Sequence, residues 1–129
     1  CIRDSLDTIH LTDAKVATFA ADLRRHRPGL LFGHAHSLYL VACQLKKSGV
    51  TDIRPSGIVS TAMVLHGYQR KVIEEVFGTP VSNRYGCEEV SLIAAECDAH
   101  AGLHVNADNV YVEAPTSKPG PLVVTDLVN

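Results

Sequence analysis

The chain has 129 residues, of which 46% are hydrophobic and 20% charged, a globular composition that lets one ordinary domain bury a core. Its net charge of −2 and the scatter of its Lys and Arg exclude an electrostatic case for nucleic acid or an anionic membrane surface as partner. Its longest apolar stretches are broken within about ten residues, against the roughly 20 that span a bilayer, so membrane insertion is not expected.

Thr12-Asp13 reads as a helix start, followed by Val16, Phe19, Ala20 and Leu23 at helical spacing and by Arg24, Arg25 and His26 where the helix dipole favours cations. Pro28-Gly29 breaks that helix. Residues 30–33 are short and wholly apolar, as in a buried parallel strand. Ser37 is the expected cap of a second helix through Leu38, Val41, Ala42 and Leu45, closed by Lys46, Lys47 and Gly49. Residues 53–60 form the next expected strand, interrupted by Pro55, and residues 65–77 a third helix with Val72, Ile73, Val76 and Phe77 inward and Gly78 at its end. A third strand over 81–85 completes a β-α-β-α-β order, which implies parallel pairing with right-handed crossovers.

Past Glu89 the character changes. Residues 91–97, 103–106, 110–114 and 121–128 are short β-like runs, with turns at Asn106-Ala107-Asp108-Asn109 and Lys118-Pro119-Gly120-Pro121 that leave no room for helices. The expected fold is therefore α/β: a parallel βαβαβ core with flanking helices, then a short antiparallel meander. As regions these are a leading helix over 1–29, a βαβαβ part over 30–90 and a meander over 91–129. There is no internal repeat. The chain opens without Met and without a basic-then-apolar leader, and it stops on a β-branched run, so a piece of a longer cytoplasmic protein is expected. Four cysteines, Cys1, Cys43, Cys87 and Cys97, are too few and too unevenly spaced for a secreted disulfide framework.

Three apolar runs end in turns with ligand-binding groups: Gly33-His34-Ala35-His36, Ser60-Thr61-Ala62, and Asn83-Arg84-Tyr85-Gly86-Cys87-Glu88-Glu89. In an open α/β sheet with parallel strands, such turns share the edge that binds ligands. Tyr85 offers a flat face for a base, worth roughly 1–3 kcal/mol by stacking. Gly86 permits close approach to the backbone. The Glu88-Glu89 pair suits a hard cation, and Mg²⁺ usually arrives with phosphates. Without a metal, a carboxylate about 4 Å from a phosphate oxygen is repelled by roughly 4 kcal/mol at an effective dielectric of about 20. The plainer alternative makes the two glutamates the start of a helical turn and Tyr85 a core residue.

Cys97-Asp98-Ala99-His100-Ala101-Gly102-Leu103-His104 has thiolate and imidazole ligands at C-x₂-H-x₃-H spacing, with Cys87 as a further thiol; this suits Zn²⁺, or else a buried thiol with two loop histidines. His34 and His36, two apart on an extended segment, point to opposite faces unless the strand has ended. His10, His26 and His66 read as surface or helix-end residues. Cys1 and Cys43 carry no signal.

Ile58-Val59-Ser60-Thr61-Ala62-Met63-Val64-Leu65, the helix ending at Phe77-Gly78, Pro80-Val81 and Asn83-Arg84-Tyr85-Gly86-Cys87-Glu88-Glu89 together resemble the central part of adenylate-forming enzymes. The phenylacetate–CoA ligase and capsular-polysaccharide CapK-like branch is the most similar. Ala95-Glu96-Cys97, Gly102-Leu103-His104, Val112-Glu113 and Gly120-Pro121-Leu122-Val123-Val124-Thr125 continue its pattern, so the resemblance covers residues 28–128.

The resemblance implies an ATP-dependent ligase that converts a carboxylic acid to acyl-AMP and then to an acyl-CoA, with ATP, Mg²⁺ and coenzyme A as partners and a homo-oligomer as an open option. The family's Tyr-Gly-x-Thr-Glu motif falls on residues 85–89: Tyr85 would stack on adenine and Glu89 would hold Mg²⁺ as the catalytic carboxylate. Glu88 replaces the Thr that contacts the α-phosphate. Ser60, Thr61 and Ala62 match the small turn on the other side of the adenine, and His34 and His36 a loop near the acyl group. The branch's Cys and His positions add weight to zinc at Cys97 and His104. The phosphate loop would lie upstream, the ribose-binding Asp and catalytic Lys downstream, and Asp126 is not assigned the ribose role. The isolated piece is expected to lack turnover. Two other classes compete: a zinc-stabilised structural or interaction module without catalysis, and a Rossmann-like cofactor domain, which the missing Gly-x-Gly-x-x-Gly turn disfavours.

Overall fold

Thr12 starts the first helix as its residue type predicts. Its extended backbone brings the hydroxyl oxygen to accept from the Lys15 amide at 3.3 Å, ahead of α1 (Asp13–His26). The computed structural model describes residues 6–114 and 120–128; Cys1 and the Lys118-Pro119 half of the last expected turn lie outside the described residues. Val16, Ala20 and Leu23 form the buried stripe of α1, and Arg24, Arg25 and His26 occupy its last turn.

The chain forms two compact units, Cys1–Val81 and Ser82–Asn129. In the first, β1 (Leu30–His34) runs directly into α2 (Ala35–Lys47), then come β2 (Gly57–Thr61) and α3 (Gly67–Phe77). β1 and β2 are parallel, in a register that sets Leu31 opposite Ile58 and His34 opposite Thr61. Val16, Leu45, Ile58, Ile73, Phe77 and Val81 are buried together in the core of this unit. Gly78 adopts the left-handed conformation, φ 62°, that ends α3.

Several boundaries differ from expectation. Ser37 does not cap α2: it is the third residue of the helix, its hydroxyl 2.8 Å from that of Thr8, and His34 holds the cap position with extended backbone. Ala35, small and fully buried, lets the helix begin directly at the strand end. β1 is not buried on both faces, because Leu30 and Phe32 are 55% and 57% exposed while Leu31 is buried. β2 begins at Gly57 rather than residue 53; Pro55 has no amide to offer a ladder, and its carbonyl instead accepts from the Thr79 hydroxyl at 2.7 Å. α3 begins at Gly67, with the His66 amide donating to the Gln69 side chain at 3.0 Å.

The second unit is antiparallel. β3 (Val81–Cys87), whose first residue belongs to the first unit, pairs with β4 (Ser91–Glu96), and β4 with β5 (Leu103–Val105). β6 (Val110–Glu113) pairs with β7 (Val123–Asp126). Ile93, Ala94 and Val110 are its buried core, packed by Val90, Val112 and Val124. The class is mixed α/β as expected, with helices and parallel strands first and a meander after. Among the described residues no helix is long and apolar enough to cross a membrane.

Candidate functional site

In the first unit the two parallel strands stop side by side, Gly33 opposite Ser60 and His34 opposite Thr61, so two of the three expected turns share one edge. Ser60 is fully buried and Thr61 half-buried. Ala62 then takes φ 63°, and the Met63 amide donates to the Thr61 carbonyl at 2.8 Å across it. A three-residue turn with an alanine in the left-handed region is strained, and such strain concentrates at functional turns. Its small residues were visible in the sequence, but its strain was not, since Gly or Asn is the usual occupant.

His34 is exposed at the cap of α2, and His36 is exposed within the first turn of that helix. The strand has ended before His36, so the expected alternation of these two residues across a strand does not apply. The His36 ring lies 6.3 Å from Tyr39, Tyr39 makes a 5.5 Å edge contact with Tyr68, and Tyr68 stacks on His66 at 5.7 Å. This row was missed by sequence reasoning; the His36/Tyr39 spacing of one helical turn was its available signal. Cys43, one turn beyond Tyr39, hydrogen-bonds the phenol and raises its pKa above the ordinary tyrosine value. A separate groove of about 800 Å³ runs along β1, lined by Phe19, Leu30, Phe32 and Leu38; Gly33 and Ser37 reach it, whereas His34 and His36 do not.

In the second unit Tyr85 sits on β3 opposite Ala94 with 43% of its surface exposed, so it is not a core residue. The register slips between Tyr85 and Gly86, and a Cβ at Gly86 would lie 2.1 Å from the Ser91 carbonyl oxygen. The backbone that needs this glycine is that of β4. Cys87 faces Ser91, and residues 88–90 turn the chain into β4, with Ser91 at φ 59°. Glu88 and Glu89 are therefore exposed at a hairpin tip and begin no helix. Hydrogen bonds from the Cys87 thiol and from a backbone amide hold the Glu89 carboxyl below its ordinary pKa. Upstream, Arg84 is half-buried opposite Ala95, and the Asn83 amide donates to the Glu96 carboxylate at 2.9 Å.

The expected zinc set does not assemble. Cys97 Sγ and His104 Nε2 are 3.1 Å apart, but His100 Nδ1 meets the Glu96 carboxylate at 3.0 Å instead. Cys87 faces Ser91 at the start of β4 while Cys97 lies just past its end, roughly 20 Å along an extended strand at about 3.3 Å per residue. Among the described residues no group of three or more His, Cys, Asp or Glu side chains could hold a metal.

No protein-family model matches the chain, and no curated protein sequence matches it. Solved structures do. An open conformation of 2-hydroxyisobutyryl-CoA ligase, in complex with 2-HIB-AMP and CoA, superposes with a TM-score of 0.76 over 92% of this chain at 16% identity, using 31% of its own length. An anthranilate CoA ligase in complex with anthranoyl-AMP gives 0.71 over 91% of this chain and 25% of its own, at 14% identity. A malonyl-CoA ligase with methylmalonyl-CoA and AMP bound gives 0.59 over 91% and 27%, at 17% identity. The chain thus spans a quarter to a third of the ligases whose fold it shares.

Proposed function

We propose that this chain is part of an ATP-dependent ligase of the phenylacetate–CoA ligase and CapK-like branch, which activates a carboxylic acid as acyl-AMP and passes the acyl group to coenzyme A. The observation that carries the reading is the strand end at Tyr85-Gly86-Cys87-Glu88-Glu89, where an exposed aromatic face precedes two exposed carboxyl groups. The fold shared with part of several acyl-CoA ligases supports it.

Within the second unit, Tyr85 stacks on the adenine, Asn83, Arg84 and Gly86 flank it, and Glu88 and Glu89 lie on the phosphate side. The Glu89 carboxyl, its pKa lowered by the Cys87 thiol, is an oxygen donor of the kind a hard cation takes, and the Glu88-Glu89 pair fits Mg²⁺. Mg²⁺, when bound, neutralises phosphate charge that these carboxylates would otherwise repel. Within the first unit, the strained Ser60-Thr61-Ala62 turn is a nucleotide-binding turn, and His34 and His36 belong to the acyl pocket.

In the reaction a carboxylate oxygen of the acid attacks the α-phosphorus of ATP and pyrophosphate leaves. The coenzyme A thiol then attacks the acyl carbon and AMP leaves. Attack at phosphorus depends on positioning and charge stabilisation, so this chain's residues bind and orient the nucleotide.

Amide chemical-shift mapping of the chain with AMP and Mg²⁺ tests the reading without requiring turnover. Shifts are expected at residues 60–62 and 83–89, and Tyr85→Ala is expected to weaken AMP binding about tenfold, the low end of what one stacked base contributes. A folded chain whose spectrum is unmoved by millimolar AMP would rule the reading out.

A further inference from the structure

β4 and β5 bring two chemically matched side chains together outside the proposed nucleotide segment. Ala95 faces His104 and Glu96 faces Leu103, so Cys97, one residue past β4, comes alongside His104. Its Sγ lies 3.1 Å from Nε2, and both side chains are exposed. In the tautomer with the ring proton on Nδ1, Nε2 accepts from the thiol. A nucleophile within hydrogen-bond reach of a base, open to solvent, is the arrangement that activates a thiol.

We propose that Cys97 is a reactive thiol, with His104 as its base, and that it is a site of mixed-disulfide formation with low-molecular-weight disulfides. Nε2 takes the S–H proton as Sγ attacks one sulfur of the disulfide. The new Sγ–S bond forms while the disulfide S–S bond breaks, and its electron pair leaves on the second sulfur as a thiolate. That thiolate takes the proton back from the imidazolium. Cys97 is oxidised to the mixed disulfide, and half of the reagent is reduced to a thiol.

The second unit holds its own control. Cys87 is also exposed, but its thiol donates to the Glu89 carboxylate and has no histidine base beside it in that hydrogen bond. Cys43 is half-buried and hydrogen-bonded to Tyr39. The thiolate is the attacking form and an ordinary thiol is only a few per cent thiolate at neutral pH, while the intrinsic nucleophilicity of a thiolate falls with the pKa of its thiol, so a base is expected to accelerate exchange by about tenfold and not by the full gain in thiolate.

The test is timed reaction of the reduced full chain with glutathione disulfide at neutral pH, with each cysteine followed by peptide mass mapping. Cys97 is expected to react about tenfold faster than Cys87, and His104→Asn, checked for folding by circular dichroism, to remove that advantage while leaving the Cys87 rate unchanged. Should His104→Asn perturb the fold, the comparison of Cys97 with Cys87 in the unaltered chain decides the matter alone. Equal rates at the two cysteines would overturn the proposal. So would an unchanged Cys97 rate in a folded His104→Asn chain, or a Cys97 that stays unmodified until a chelator is added, since that thiol would be a metal ligand instead.

Discussion

A single methyl group separates Gly86 from alanine, and it would sit 2.1 Å from the carbonyl oxygen of Ser91. The obstacle is backbone, so β4 would have to move away from β3 at the bulge. Gly86→Ala is expected to cost about 1–3 kcal/mol, as overpacking does, read as a lower denaturant midpoint at unchanged slope. The residue type was informative from the sequence, but its reason was not: a glycine beside a tyrosine and two glutamates suggested room for a ligand, whereas hairpin register supplies the demand. The same limit applied to Cys97. Its spacing from His104 was legible, yet which histidine it meets depended on strand pairing, which sent His100 to Glu96 instead.

At the scale of elements, α1 was legible to its ends because a capping threonine, a helical apolar stripe and a basic last turn are all local signals. The start of α2 was not. Ser37 is a sound cap by type, but the strand already ends at His34 and the helix follows without a loop. The end of β2 holds the clearest conflict between residue and conformation, with Ala62 at φ 63°. Ala62→Gly is expected to raise stability by up to about 1 kcal/mol by relieving left-handed strain, visible as a higher thermal midpoint. If the turn is held for nucleotide binding, the same variant is expected to bind AMP more weakly in the shift-mapping titration, because a glycine no longer restricts the turn.

Over the whole molecule, the two units differ in how much apolar surface they bury. The first packs Phe77, Leu45, Ile58 and Ile73 among its buried core, while the described core of the second is Ile93, Ala94 and Val110. Amide hydrogen exchange is therefore expected to be faster in β4 and β6 than in α2 and α3, since opening free energy follows buried apolar contact. Comparable protection in the two sets would show that the smaller core is not limiting.

The first unit also has a predictable response to acid. Asp52 accepts from the Arg24 guanidinium at 2.6 and 2.7 Å, and Glu75 accepts from Lys46 at 2.8 Å; these bonds lower both carboxyl pKa values from 3.8 and 4.5. In that range the unfolded chain binds more protons than the folded one, so the contribution is full above the ordinary carboxyl values and lost as pH falls through the depressed ones. Thermal midpoints are expected to fall between about pH 5 and pH 3, with a shallower fall in Asp52→Asn. Both pairs are exposed, so added salt is expected to reduce the effect.

The amino-acid sequence by itself determined the α/β class, the order of helices and strands, and the chemical content of the turns that follow the apolar runs. Those features rest on periodicity, caps and breakers, which act over a few residues. Tertiary structure alone decided that β1 leaves Phe32 exposed, that Glu88 and Glu89 cap a hairpin rather than a helix, and that Cys97 meets His104 while Cys87 lies a strand's length away. Each of these depends on which strand lies beside which and in what register. A one-residue change in the register of β1 would have turned Phe32 to the other face, and one in β5 would have turned His104 away from Cys97.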